Sequence, residues 1–188
     1  NSLKISPLEF TLEWRKIQRQ LIEDKEFVPF RECIKSALLQ ICKKYNIKNN
    51  DYEYLLFDKW KEIKPFPEVP NILIKLKEKY QMAICSNSSR DLYDVCAAKL
   101  PIKFDYVFIS DEVKATKPNP KIYQFAIKSF GFNPENLLHI ASSQMDVKGA
   151  SNAGFVVCWI NRLNEKRNAE IPEPKFEIHK LNEVLKIL

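Results

Sequence analysis

The sequence predicts an α/β protein: a Rossmann-like parallel sheet with helices on both faces, joined to a small helical lobe. Three observations carry that expectation. Residues 8–64 repeat their apolar positions at helical spacing and contain no convincing strand, whereas four short apolar runs rich in strand formers follow, separated by helical segments. Alternation of that kind implies parallel strands covered by helices on both faces. The residues leaving those runs are polar, as expected where a ligand sits beyond the carboxyl ends of the strands.

The lobe, residues 1–66, comes first. Phe10, Trp14, Ile17 and Leu21 mark one amphipathic helix. In "FRECIKSALLQICKKYN" the positions Phe30, Cys33, Ile34, Ala37, Leu38, Ile41 and Cys42 form a second apolar stripe, and Tyr54 to Ile63 suggests a third helix. The prolines of "KPFPEVP" then punctuate the chain, and residues 67–188 read as the core. Its strands are expected at Met82 to Cys85, Tyr106 to Ile109, Leu137 to Ala141 and Phe155 to Ile160. Helices are expected at about 70–80, 89–99, 119–130 and 145–153, with a last short strand and a closing helix in "FEIHKLNEVLKIL".

Composition narrows the class. With 45% hydrophobic residues, 12% aromatic residues and no apolar run near the roughly 18 that suggest a membrane span, the chain reads as a soluble globular protein. "NSLKISPLEF" has no apolar core of a signal peptide. The five cysteines are odd in number, lack C-x-x-C spacing and mostly sit in apolar runs, so they read as thiols of a reducing cytoplasm. With only two histidines besides, no zinc-type ligand set can be assembled. The net charge of +6 is spread among interleaved acids, which argues against a nucleic-acid partner; it reads first as a solvated surface, and functionally as a modest positive field that draws in a small anion.

The strand exits collect the candidate chemistry. Ser86, Asn87, Ser88 and Ser89 follow the first strand; they can cap a helix, or Ser86 and Asn87 can receive a carboxylate or phosphate oxygen. Lys117 stands in "KATKPNPKIY", stiffened by Pro118 and Pro120, with Asn119 able to cap the helix that follows. A fixed ammonium there can neutralise a reacting carboxylate or a leaving anion. After the third strand come Ser142 and Ser143, and then Asp146, which either holds the Lys117 ammonium or merely complements its helix dipole. Small Gly149 and Ala150 let the helix approach the sheet, and Gly154 suits the C′ position that ends the helix.

These stretches resemble the haloacid dehalogenase superfamily. "AICSNSS" is similar to its second motif, "KATKPNPKIY" to its third and "IASSQMDVKGASNAGF" to its fourth, while "EWRKIQ", "VPF" and "CWINR" resemble the type II branch acting on 2-haloacids. The resemblance implies a hydrolase in which an aspartate displaces halide from carbon and water hydrolyses the ester. It makes Lys117 the catalytic lysine and Asp146 the acid that helps hydrolysis. Ser86 and Asn87 would bind the substrate carboxylate or the nucleophile, and Arg15 would face the leaving halide. Tyr123 would support Lys117, Phe30 would line the pocket, and Ser142 and Ser143 would contribute to substrate binding. No cofactor is implied. A homodimer is, and the helical lobe offers apolar faces for it.

The chain departs from the family pattern in three ways. No apolar strand running into D-x-x-x-T occurs in residues 1–14, so the nucleophile is expected upstream of Asn1, and the lack of an initial methionine agrees with that expectation. Ser143 stands where asparagine is usual and Met145 where an aromatic is common, and Lys16 and Arg19 make the region after Arg15 more basic. Two other readings compete. A phosphatase of the superfamily would use Mg²⁺, which asks for hard carboxylate oxygens, but Ser142 occupies the position where the phosphatases carry one. A fold-retaining binding protein without activity is the other.

Overall fold

The computed structural model describes residues 5–23, 26–48 and 52–188. Helix α1 spans Pro7–Glu23. Ser6 and Glu9 start it with a reciprocal capping box: the Glu9 amide donates to Ser6 Oγ at 3.2 Å, and the Ser6 amide and hydroxyl donate to Glu9 Oε2 at 3.0 and 2.7 Å. Helix α2, Phe30–Lys44, buries Cys33, Ile34, Ala37, Leu38, Ile41 and Cys42, the stripe its spacing predicts. Helix α3 spans Tyr52–Trp60, earlier at both ends than expected. Leu38, Ile41 and Cys42 pack with Phe10, Trp14, Ile17 and Leu56, giving these helices an apolar cluster of their own.

The core follows in alternation. Helix α4 is Val69–Lys77, strand β1 Ala83–Ser86, helix α5 Arg90–Ala97 and strand β2 Tyr106–Ile109. Next come α6, Ser110–Val113, and α7, Pro120–Phe130; then β3, Leu138–Ala141, α8, Gln144–Asn152, β4, Val156–Ile160, and β5, Phe176–Ile178. The closing segment Leu181–Lys186 is a 3₁₀ turn and not an α-helix, in keeping with the shortness of the stretch left to it. The four-residue α6 was not expected.

Helices cover both faces, and the strand period of two shows how. Ala141, Val157 and Trp159 point toward α7 and α8, where they pack with Ile122, Tyr123, Val147 and Ala150. The alternate residues Leu138, Ile140, Cys158 and Ile160 point the other way and pack on Ile72 and Leu76 of α4 and on Leu181 and Val184. Burial on both faces is what makes these strands read as continuous apolar runs.

The sheet, expected as one, is two. Strand β1 pairs with β2 in parallel register, Ala83 opposite Tyr106 and Ser86 opposite Ile109. Strands β3, β4 and β5 form a separate parallel set, with β4 in the middle. A cavity of about 450 Å³ lies against the inner edges of β1 and β3, touched by Ala83, Ile84 and Cys85 from one and Leu138, His139 and Ile140 from the other. Among the described residues no strand pairs with either inner edge, so both present backbone N–H and C=O groups toward that space.

Candidate active site

The carboxyl ends of β1, β2 and β3 open toward a single cluster built around Asp146. Ser143 is the N-cap of α8, and its Oγ accepts a hydrogen bond from the Asp146 amide at 3.2 Å, which places Asp146 in the first turn facing inward. Asp146 is 7% exposed. Its Oδ2 accepts from Lys117 Nζ at 2.8 Å, and its Oδ1 accepts from the Tyr123 hydroxyl at 2.8 Å. The His139 Nε2 lies 3.1 Å from the same Oδ1.

Lys117 is held from two sides. Asn87, just past β1, clamps its backbone: the Lys117 amide donates to Asn87 Oδ1 at 2.7 Å, and Asn87 Nδ2 donates to the Lys117 carbonyl at 3.0 Å. The Lys117–Pro118 peptide is cis, and Asn119 caps α7 by accepting from the Lys121 amide at 2.9 Å, as its position predicts. Helix α7 then carries Tyr123, 1% exposed, one turn below the loop. Gly149 makes room for it: a Cβ at that position would lie 2.5 Å from the Tyr123 hydroxyl. The close approach that needs this glycine is therefore of α8 to the Tyr123 ring. Gly154, at φ +88°, takes the left-handed conformation expected of the residue after the helix end.

The electrostatics follow from this packing. Burial pushes the Asp146 carboxyl up, but the hydrogen bond from His139 and the Lys117 charge outweigh it and hold the group well below the ordinary carboxylate range. Burial, reinforced by the adjacent Asp146 charge, raises the Tyr123 phenol far above its usual range, so it remains a donor. The Cys85 thiol is pushed by burial to about 11, Lys117 opposing and Asp146 adding, and it stays a neutral thiol at neutral pH. The cluster is thus an ionised acid fixed by an ammonium, a phenol and an imidazole.

The expected site residues are brought together unevenly. Lys117, Asp146, Tyr123 and Asn87 form one hydrogen-bonded group, and Ser86 ends β1 beside it. Ser142 and Ser143 are exposed at the start of α8, Ser143 already engaged as a cap. Ser89 takes the N-cap position of α5, although its hydroxyl donates to Asp91 at 2.6 Å and not back to the helix amides. Phe30 stands at the seam between lobe and core: its amide donates to Asp111 Oδ1 at 2.9 Å, and its ring meets Trp60 edge-on at 6.2 Å. Arg15 lies apart, exposed on α1 with no side-chain hydrogen bond or ion pair among the described residues. His139 was missed by sequence reasoning; the signal available was its position two residues before Ala141 on the same strand face.

A divalent cation fits this group poorly. Asp146 already has two donors on Oδ1 and an ammonium on Oδ2, and among the described residues no three histidine, cysteine or acidic side chains converge.

The profile of haloacid dehalogenase-like hydrolases matches residues 10–160. The chain belongs to the haloacid dehalogenase-like hydrolase family. It is 30% identical to (S)-2-haloacid dehalogenase 2 of Pseudomonas sp. (strain CBS-3) over 96% of this chain and 82% of that protein. It is 31% identical to haloacetate dehalogenase H-2 of Moraxella sp. (strain B) over 73% of this chain, a match that spans only 63% of that protein's length. A crystal structure of a dehalogenase with an intermediate complex superposes with a TM-score of 0.90 at 26% identity, covering 99% of this chain and 86% of that one. An L-2-haloacid dehalogenase superposes with a TM-score of 0.87 at 25% identity, covering 95% and 84%.

Proposed function

We propose that the protein hydrolyses small 2-haloacids by displacement on carbon, without a metal. The observation that carries this reading is the Lys117 ammonium, 2.8 Å from a buried Asp146, with Ser142 following β3 at the position where a metal-binding phosphatase would need a carboxylate. Relatives named as (S)-2-haloacid dehalogenases support it.

In this reaction a carboxylate attacks C2 of the substrate, the carbon–halogen bond breaks and halide leaves. Water then adds to the ester carbonyl, releasing the 2-hydroxyacid and restoring the carboxylate. The nucleophile this reading requires is a carboxylate that arrives beside Ser86 and Lys117 at the strand ends. Lys117 neutralises it during attack, and Asp146, with Lys117, assists the water. Ser86, Ser142 and Ser143 receive the substrate carboxylate, and Asn87 acts by clamping the lysine loop. Residues 1–66 act as a cap over the core of residues 67–188, bringing Phe30 to the pocket wall and Arg15 to the departing halide. The free thiols support a reducing cytoplasm, and exposed Leu8 and Leu12, four residues apart on α1, support a homodimer.

The test is halide release from L-2-chloropropionate against phosphate release from p-nitrophenyl phosphate, each with and without chelator. Halide release indifferent to chelator is the expected result, and magnesium-dependent phosphate release alone overturns the proposal.

A further inference from the structure

The reaction above uses neither Tyr123 nor His139 of the cluster, and His139 was assigned no role from the sequence. It sits on β3 between Leu138 and Ile140, on the strand face that α7 and α8 cover. Its side chain is 13% exposed. The ring packs edge-on against Tyr123, centroids 5.9 Å apart at 72°, and is tilted against Phe155 at 5.5 Å. With those two rings around it, the imidazole directs Nε2 to Asp146 Oδ1 at 3.1 Å, the oxygen that already takes the Tyr123 hydroxyl.

We propose that His139 is a positioning residue: its Nε2–H and the Tyr123 O–H together pin Asp146 Oδ1 inward, so that Oδ2 is the oxygen presented to Lys117. An ionised carboxylate only accepts, and therefore the Nε2 that touches it carries the proton. With Oδ1 held by two donors the carboxylate cannot rotate away from the ammonium, and Lys117 keeps its place at the strand ends. The inference rests on the proposed hydrolysis for its kinetic arm and on geometry alone for its spectroscopic arm.

The second histidine supplies an internal contrast. The His179 Nδ1 lies 2.8 Å from the Asn161 carbonyl oxygen, which also only accepts, so in His179 it is Nδ1 that carries the proton. The chain has two histidines, and His139→Gln assigns both sets of ring signals in a ¹⁵N spectrum of the labelled protein. The expected spectrum shows a protonated Nε2 in His139 and a protonated Nδ1 in His179. A bare Nε2 in His139 overturns the proposal whatever the enzyme's activity.

In the kinetic arm, His139→Phe keeps a ring between Tyr123 and Phe155 and removes the donor, whereas His139→Gln keeps an N–H at comparable reach. For halide release, kcat falls about tenfold in the Phe variant with KM within about twofold of wild type, and the Gln variant recovers most of the loss. Unchanged kcat in His139→Phe, or a loss that Gln does not relieve, overturns the positioning role. Absence of halide release from the wild type overturns the proposed function instead, and leaves the ring-nitrogen result to decide this inference.

Discussion

The two half-sheets border the same cavity but are held in different ways. In β4 every residue from Val157 to Ile160 is buried, and the set β3, β4 and β5 is packed on both faces. In β1 no residue is buried and Ala83 is exposed, and the β1–β2 pair buries only Phe108 and Ile109, both in β2. Polar contacts reach across the division at the carboxyl ends. Asn87 ties the Lys117 loop to β1, and Lys117 and Tyr123 tie that loop and α7 to Asp146 behind β3. Groups assigned to chemistry are therefore also the bridge between the halves, and substitutions there should register in stability as well as in turnover.

The most damaging way to break the bridge is Asp146→Ala. It leaves Lys117, Tyr123 and His139 without their shared acceptor in a buried site, a loss of about 3–5 kcal/mol on the scale of disrupted buried pairs. A fall of that size in the urea unfolding free energy, with halide release abolished, is the expected outcome; a loss under about 1 kcal/mol would show that the bridge carries no load. The pH dependence has a definite sign. Because the fold lowers the Asp146 pKa, the unfolded state binds the proton more readily, and stability rises with pH through that region. The contribution is complete above the unfolded value of about 3.9 and is lost as pH falls through the lower folded value. Acid unfolding of Asp146→Asn should accordingly be shallower than that of wild type, and equal steepness would remove Asp146 from the explanation.

Lys117→Met comes next. Asp146 keeps two of its donors, so stability drops less, by about 1.5–3 kcal/mol for a lost hydrogen bond to a charged group. Catalysis does not share that buffering: halide release should disappear while the thermal unfolding transition stays cooperative. Retained turnover would unseat Lys117 from its assigned role.

How much of this could be read from residue order varies with the range of the interaction. The α2 stripe, the alternation of helices and strands, the Asn119 cap and the Gly154 turn were legible because each depends on neighbours within a few positions. The polar strand exits pointed to Lys117 and Asp146 for the same reason. The split of the sheet was not legible, since pairing between strands is set by what lies beside each edge and not by the apolar run itself. The Asn87 clamp joins positions 30 residues apart, and the cradle that Gly149 gives Tyr123 joins two helices. His139 had a local clue, but strand alternation shows only the face it occupies. The partner comes from α8, whose first turn is oriented by Ser143.

Gly149→Ala probes the bridge more gently, because it alters only the space for Tyr123. The added methyl must displace the ring or the helix, at a cost of about 1–3 kcal/mol for overpacking a filled core. If the Tyr123 hydroxyl then leaves Asp146, kcat should fall while KM holds, and a crystal structure should show the ring moved. A variant as stable and active as wild type would mean that α8 shifts freely, which the packing of Val147 and Ala150 opposes.

The smallest effect is expected where an ion pair stays within one half. Arg90 makes a bidentate contact with Glu112, at 2.7 Å from Nε and 2.6 Å from Nη2, joining α5 to α6 on the β1–β2 side. Its geometry is at least as good as that of Lys117 with Asp146. The side chains, however, are 44% and 45% exposed against 17% and 9% for the bridging pair. Solvent screens such a pair and supplies new partners once it is broken, so Arg90→Ala should cost less than about 1 kcal/mol and leave halide release unchanged. A double-mutant cycle on each pair separates the two influences. If the Arg90–Glu112 coupling equals the Lys117–Asp146 coupling, contact geometry alone sets the strength. If the buried pair couples several times more strongly, desolvation across the division is what makes the bridge, and the exposed pair is the measure of what that contact would be worth without it.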